Sequence, residues 1–144
     1  MNARPLLAAL KRDRSGSVAI EFGILGPMLF TMMLGVLQVG TGMQAYNAMR
    51  SAAADTARYA VIERQKGNTK TDTQLSAQAR TIATALPYSL HTADLTATVA
   101  AVGTSRVAGA SEKTLTYTYT VSSVLAIIDI PGVSLTYSRP IFTV

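Results

Sequence analysis

The chain has 144 residues, which is enough for one modest domain. Hydrophobic residues make up 49% and charged residues 15%. The apolar content is concentrated near the N-terminus, which indicates a membrane segment rather than an oversized core. The net charge is +5, and four of the 13 basic residues precede the apolar region: Arg4, Lys11, Arg12 and Arg14. Because the later sequence has no basic stripe, nucleic acid is not an expected partner. With no cysteine and one histidine, His91, the chain is expected to hold no metal and no other cofactor.

Residues 1–16 form a basic leader ahead of a long uncharged segment. From Phe22 to Met49 no residue is charged, and residues 22–40, FGILGPMLFTMMLGVLQVG, match the ~20 apolar residues that cross a bilayer. Because cytoplasmic flanks are enriched in Lys and Arg, the N-terminus is predicted in the cytoplasm and the C-terminus outside. A buried core helix this apolar would need a much larger domain. A cleaved signal peptide is opposed by Glu21 at the start of the apolar stretch.

A glycine and an acid mark the start of this segment, in the sequence RSGSVAIEFG. A carboxylate within a membrane is expensive, so Glu21 is a functional candidate for which a partner must be found. If the chain is cut between Gly16 and Ser17, the new α-amine of Ser17 can pair with Glu21 in the same chain or in a neighbour. Glu21 then also complements the positive end of the helix. The plain alternative is an uncut anchor whose Glu21 lies at the headgroup level.

The helix is predicted to continue beyond the membrane, from residue 17 to 66, and to stop at Gly67-Asn68. Pro27 lies inside it and is expected to bend it. Alanine-rich sequence after the membrane segment favours helix, and small or apolar residues recur near a 3.6-residue period. The predicted stripe is Ala45, Ala48, Met49, Ala52, Thr56, Ala60 and Val61.

The remainder predicts a second helix and a sheet. Thr71-Asp72 caps a helix over 72–86 that Pro87 ends, with an apolar face made of Leu75, Ala79, Ile82, Ala83 and Leu86. From Leu95 the apolar period changes to two, which predicts strands over 95–102, 114–125 and 133–144. An exposed loop over 103–113 and a turn at Pro131-Gly132 separate them. Tyr117 and Tyr119 fit a strand with one aromatic face better than a binding site, and His91 is expected on the surface.

These elements predict an α+β fold: a long N-terminal helix, a second helix and a small three-stranded antiparallel sheet laid along the projecting helix. We divide the chain into a cytoplasmic leader that is cleaved (1–16), a transmembrane helix (17–42), its extramembrane extension (43–66) and a periplasmic or extracellular α+β domain (67–144). No Ser-His-acid set, paired-carboxylate site or phosphate loop is evident, so no catalytic residue is assigned and no enzyme is expected.

An ordered set of residues resembles a known family. Val18-Ala19-Ile20-Glu21-Phe22, Pro27, the leucine-rich run 28–37 and Ala57-Arg58-Tyr59-Ala60 are similar to the TadE-like pseudopilins and minor pilins of the tight-adherence (Flp, type IVb) pilus system. The resemblance runs from Gly16 to about Val61. It implies a pilin-like plan, with a small sheet laid along one long helix.

The resemblance also implies a processing route. Prepilin peptidase would cleave after Gly16, Ser17 would become the mature N-terminus, and Glu21, followed by Phe22, would register the subunit against its neighbours. Flp major pilins are usually short and carry Glu-Tyr, whereas this chain has Glu-Phe and a long C-terminal domain, which favours a minor pilin or pseudopilin. Whether the role is TadE-like, TadF-like or TadG-like stays open.

The implied partners are prepilin peptidase, other pilin or pseudopilin subunits, the inner-membrane assembly platform and the lipid bilayer, with no small-molecule substrate evident. The implied location is the bacterial inner membrane, crossed once, with incorporation into an extracellular pilus left open. The main alternative is an uncleaved, signal-anchored periplasmic binding or scaffold protein. A membrane-tethered enzyme would need a reactive cluster that the sequence lacks.

Overall fold

The computed structural model describes residues 15–124, 126 and 129–143. Over these residues the chain forms two α-helices, a short 3-10 turn and a three-stranded antiparallel sheet, which confirms the predicted α+β class. The elements are α1 (Ser15–Gln65), α2 (Asp72–Thr84), the 3-10 turn (Thr92–Asp94), β1 (Leu95–Ala101), β2 (Ser111–Val121) and β3 (Val133–Thr143). Most of the predicted leader (residues 1–14) and the predicted strand residues Leu125 and Val144 lie outside the described residues.

Helix α1 has 51 residues, which corresponds to about 77 Å at 1.5 Å per residue. It ends where the sequence predicts, because Gly67 has a φ of +82°, a conformation that glycine adopts without strain. The Gly67 amide donates to the Arg64 carbonyl and the Asn68 amide donates to the Glu63 carbonyl, both at 2.9 Å. This is the Schellman pattern, which satisfies the last carbonyls of a helix.

Pro27 lies inside α1 without ending it. Proline has no N–H, so the helical hydrogen bond to the Gly23 carbonyl is not made at this turn. The Thr31 hydroxyl donates to the Pro27 carbonyl at 2.8 Å, a side-chain bond that is tolerated in helices and often bends them. The bend itself stays a prediction.

The two halves of α1 have different surroundings. In the outer half (residues 43–65) one stripe packs against α2 and the sheet, as predicted, although Ala48 and Val61 are only half-buried. In the inner half (residues 16–42) just 6% of the most apolar window is buried. That segment is therefore not the core of this fold, and the alternative of a buried core helix does not hold. The buried residues of the outer half are Ala45, Met49, Ala52, Ala53, Thr56 and Ala60.

Helix α2 begins at a capping box. The Thr71 hydroxyl accepts from the Gln74 amide at 3.2 Å, and the Gln74 side chain accepts from the Thr71 amide at 3.1 Å. Two of the amides that a helix start leaves unpaired are thereby satisfied. The predicted apolar face is correct as far as Ala83, since Leu75, Ala79 and Ala83 are buried against α1 and the sheet and Ile82 is partly buried.

The C-terminal end of α2 corrects the sequence prediction, which ran the helix to residue 86. The helix ends at Thr84, and Ala85 is extended, with a ψ of 164°. Leu86, expected on the buried face, is 87% exposed. The physical reason is Pro87, because a proline pushes the preceding residue out of the helical region. The last turn is therefore not completed, and Leu86 lies outside the core.

In the sheet, β2 is central and pairs antiparallel with β1 and β3. Tyr117 lies opposite Ala97 on β1 and opposite Tyr137 on β3. Because strand side chains alternate, Leu115, Tyr117 and Val121 face the helices and the intervening threonines line the other face. β3 lies along α1, where the Tyr46 and Tyr137 rings meet edge to face at 5.7 Å.

Strand β2 spans Ser111–Val121, so both ends of the predicted segment 114–125 were wrong. The earlier start follows from Glu112, which is buried and ion-paired with Arg106, so that residues 111–113 join the ladder opposite residues 141–143. The loop predicted over 103–113 is correspondingly shorter, covering 102–110. The earlier end follows from β3, whose first residue, Val133, pairs with Val121.

Three elements meet at the hydroxyl of Tyr117, a fully buried side chain. It donates to the Ala79 carbonyl of α2 at 2.8 Å and lies 3.1 Å from the Thr56 hydroxyl of α1. Thr56 in turn donates to the Ala52 carbonyl at 2.8 Å. Burial raises the pKa of Tyr117 to about 12, since removal from water disfavours the phenolate. Tyr117 is thus a core residue, as the aromatic-face interpretation predicts.

Candidate functional site: the inner half of helix α1

Gly16 and Ser17 lie in the first turn of α1, one turn ahead of Glu21. The Ser17 hydroxyl donates to Oε1 of Glu21 at 3.5 Å, a long hydrogen bond between residues four apart on one helix face. Phe22 is 76% exposed. The helix therefore brings Ser17 and Glu21 together and leaves both on an open surface, with the aromatic ring of Phe22 beside them.

Gly16 is not required by the described fold. A Cβ added there would meet nothing within 4 Å, and Gly16 is not among the positive-φ glycines, Gly67 and Gly109. A glycine inside a helix destabilises it by roughly 0.5–1 kcal/mol relative to alanine. Neither packing nor backbone conformation thus explains this glycine.

The inner half of α1 presents apolar side chains around its whole circumference. A helix that is apolar all round is either buried in a protein core or embedded in lipid. Within the described residues α1 is the one helix long and apolar enough to cross a membrane. Its exposed large apolar residues are Val18, Ile20, Phe22, Ile24, Leu25, Met28, Leu29, Phe30, Met32, Met33, Val36, Leu37 and Val39.

Gln38 makes contacts with the residues after β2 that the sequence did not predict. Its side-chain amide donates to the Ser122 carbonyl at 3.4 Å, and its side-chain oxygen accepts from the Val124 amide at 2.9 Å. The inner half of α1 is therefore joined to the segment between β2 and β3. A signal was present, because a lone amide in an otherwise apolar stretch needs hydrogen-bond partners.

Charged side chains form several contacts in the sheet domain and the outer half of α1, away from the inner half. Hydrogen bonds from Arg106 keep the pKa of the Glu112 carboxyl below its usual range. The Arg106 guanidinium also lies 5.7 Å from the centre of the Phe142 ring. The Tyr88 hydroxyl donates to Asp55 at 2.6 Å, and that bond raises the pKa of Tyr88. His91 is exposed, as predicted.

The model of the TadE-like protein family matches residues 16–58. This segment is TadE-like. The match begins at Gly16 and covers the inner half of α1 and most of the outer half, as the resemblance predicts. TadE-like pilin proteins are structural rather than catalytic, and they are associated with the Tad pilus. Searches of curated proteins and of solved structures found no match to the chain.

Proposed function

We propose that this chain is a pilin-like structural or assembly subunit, a pseudopilin or minor pilin, of a tight-adherence pilus. The observation that carries the proposal is the TadE-like segment itself, which starts at Gly16 and continues into an apolar helix surface that the rest of the domain leaves uncovered. In this proposal the inner half of α1 anchors the chain in the inner membrane, with the leader in the cytoplasm and the sheet in the periplasm.

Processing after Gly16 gives this glycine a role that the fold does not. Its Cβ position is open and its backbone needs no special conformation. A peptidase that accepts only a small residue before the cut would require it. Arg and Lys residues precede it and an apolar run follows it, which supports a position of the bond at the membrane face, where prepilin peptidase would act.

The same cut would supply Glu21 with a charged partner. Among the described residues of the uncut chain, Glu21 accepts one side-chain hydrogen bond, from the Ser17 hydroxyl at 3.5 Å. Cleavage converts the Ser17 backbone nitrogen into a cationic amine on that residue. An amine and a carboxylate offset each other's desolvation when they pair in a membrane. Pairing with a neighbour's Glu21 would set the axial register between subunits, with Phe22 packed at the same level.

The packing of the outer half of α1 supports a helix whose outer half carries the domain and whose inner half serves as the anchor. Its packed stripe begins at Ala45, so the continuous packing of α1 against the sheet and α2 starts just beyond the proposed span. The inner half stays free for lipid before assembly and for neighbouring helices after it. Helices in lipid associate through close packing.

Intact mass and N-terminal sequencing of the membrane-extracted protein test the proposal, in cells with and without prepilin peptidase. We expect a peptidase-dependent start at Ser17. Gly16→Leu should block the cut, whereas Gly23→Leu, at another α1 glycine with nothing within 4 Å, should leave it intact. An intact Met1 in both strains would contradict the processing route and favour the uncleaved, signal-anchored binding or scaffold domain.

A further inference from the structure

Ser122 and Val124, which follow β2, lie at the level of Gln38, on the membrane side of the sheet. The two hydrogen bonds of Gln38 fix the Ser122 carbonyl and the Val124 amide against α1. The other loop of the sheet, 102–110, is at the opposite end, because consecutive hairpins in an antiparallel meander alternate ends. That end lies near Arg64, which lines one cavity with Ser111 and Thr143. Arg64 is about 39 Å from Gln38 along the helix axis.

The depth of Gln38 follows from the length of the span. A hydrocarbon core of about 30 Å, counted from Phe22 at 1.5 Å per residue, ends near residue 41. Gln38 is therefore about 5 Å inside the outer boundary of the hydrocarbon. A tilted helix places more residues inside the bilayer, so tilt moves Gln38 deeper. Any backbone attached to Gln38 is accordingly at the level of the lipid headgroups or just below them.

The side chains of this segment suit that position. Val124, Ile130 and Val133 are 46%, 42% and 50% exposed, although aliphatic side chains at a domain surface would gain from burial. Asp129, between them, is exposed and has a φ of +61°. A carboxylate at this level can reach the water layer, as polar groups at the membrane surface do.

The apolar surface of α1 is continuous with this segment. A cavity of about 360 Å³ lies between the outer end of the span and the sheet, and Val39, Met43, Val133 and Leu135 are among its lining residues. Apolar side chains of the helix and of the sheet thus share one cavity, whose polar lining residues are Gln38 and Asn47. Gln38 also lowers the cost of immersion, because its side chain satisfies the Ser122 carbonyl and the Val124 amide, which would be costly to leave unpaired in lipid.

We propose that Val124, Ile130 and Val133, at the end of the sheet where β2 leads into β3, form a second membrane contact that is immersed in the outer interface of the bilayer and held there by Gln38. It rests on the proposed anchoring of α1. Because both the inner half of α1 and these residues would then contact the bilayer, the tilt of the sheet domain relative to the membrane would be fixed.

Fluorescence quenching of single-cysteine variants tests the proposed membrane contact. The chain has no cysteine of its own, so each label reports one position. The full chain is reconstituted in phosphatidylcholine vesicles with an environment-sensitive label at one position. Nitroxide lipids carry the quencher either near the headgroup or near the acyl-chain end. Val124→Cys is the probe. Val107→Cys, 48% exposed at the opposite end of the sheet, is the matched control, and Leu29→Cys reports the span itself.

We expect the label at 124 to be blue-shifted and quenched most by the shallow nitroxide, the label at 29 to be quenched most by the deep one, and the label at 107 to be quenched by neither. Quenching at 29 without quenching at 124 would overturn the inference and leave the anchoring intact. A label at 124 that is shielded from aqueous iodide but not quenched by lipid would also overturn it, since a protein would then cover the segment. No quenching at 29 would remove the anchoring and the inference with it.

A separate substitution tests the role of Gln38. Gln38→Leu keeps a side chain suited to lipid but removes both hydrogen bonds to the segment. We expect most of the quenching at 124 to be lost. Gln44→Leu, on the same helix beyond the span, should retain it. Unchanged quenching in Gln38→Leu would overturn the role given to Gln38.

Discussion

Removing the hydroxyl of Tyr117 separates the hydrogen bonds of this residue from its bulk. In Tyr117→Phe the hydrogen bond at 2.8 Å to the Ala79 carbonyl is lost, together with the 3.1 Å contact between the Tyr117 and Thr56 hydroxyls. Neither partner is left unsatisfied, because Thr56 still donates to Ala52 and the Ala79 carbonyl is inside α2. Because the Thr56 proton is already donated to Ala52, one donated hydrogen bond is removed, and we expect the free energy of unfolding to fall by about 0.5–1.5 kcal/mol.

The measurement is pulse proteolysis of the full chain in detergent across a urea series, which reports domain unfolding without depending on tyrosine signals. Tyr119→Phe is the control, since Tyr119 lies on the same strand, is half-buried and makes no hydroxyl hydrogen bond within the described residues. Thr56→Val combined with Tyr117→Phe closes a double-mutant cycle. Equal stability of Tyr117→Phe and wild type, or strictly additive effects with Thr56→Val, would refute the three-way contact.

The same residue predicts a pH dependence. Burial raises the pKa of Tyr117 from 10.0 to about 12 in the folded chain, so the folded state retains a proton that the unfolded state loses. Stability from this group is complete below pH 10 and is lost as the pH rises toward 12. Tyr117→Phe should flatten that decline. The raised pKa of Tyr88 acts in the same direction in both proteins and cancels in the comparison.

Two further changes test the proposed assembly role and the turn before β3. Glu21→Gln should leave the protein inserted in the membrane but prevent its co-purification with other pilus subunits, because a neutral amide does not pair with the Ser17 amine; normal piliation would count against the pairing. Gly132→Ala should destabilise the domain by about 1–3 kcal/mol, since its Cβ would lie 2.6 Å from the Val121 carbonyl oxygen. Gly103→Ala, where a Cβ meets nothing within 4 Å, is the control for that change, and equal urea midpoints for the two variants would show that the turn relaxes.

Local signals predicted most of the fold. Gly67 stops α1 through its own backbone conformation, and Thr71 with Gln74 caps α2 through neighbouring side chains. The two-residue period from Leu95 predicts three strands because one side of the sheet is buried against helices. Each of these features is determined within a few residues, so a single sequence contains the information.

The errors arise where one specific constraint or contact outweighs the periodic pattern. Leu86 continues the apolar period of α2, but the constraint from Pro87 outweighs the gain from burying one more side chain. Strand β2 begins early because Arg106 and Glu112 pair across a loop. Gln38 is joined to residues more than eighty positions away, and no spacing rule connects them. The contact between the Ser17 hydroxyl and Glu21 depends only on helix geometry, whereas the pairing of Glu21 with a Ser17 amine stays a prediction.

The absence of any linker between the inner and outer halves of α1 has a mechanical consequence. A rigid helix transmits rotation as well as position, and neighbouring residues differ by about 100° around its axis. If a neighbouring subunit's helix packs against a different ridge of the inner half, the whole sheet domain turns with it. Inserting one residue between Gly40 and Ala45 would rotate the domain by about 100° while raising it only about 1.5 Å. If the inner half spans the bilayer as proposed, the direction in which the sheet points is therefore set inside the membrane.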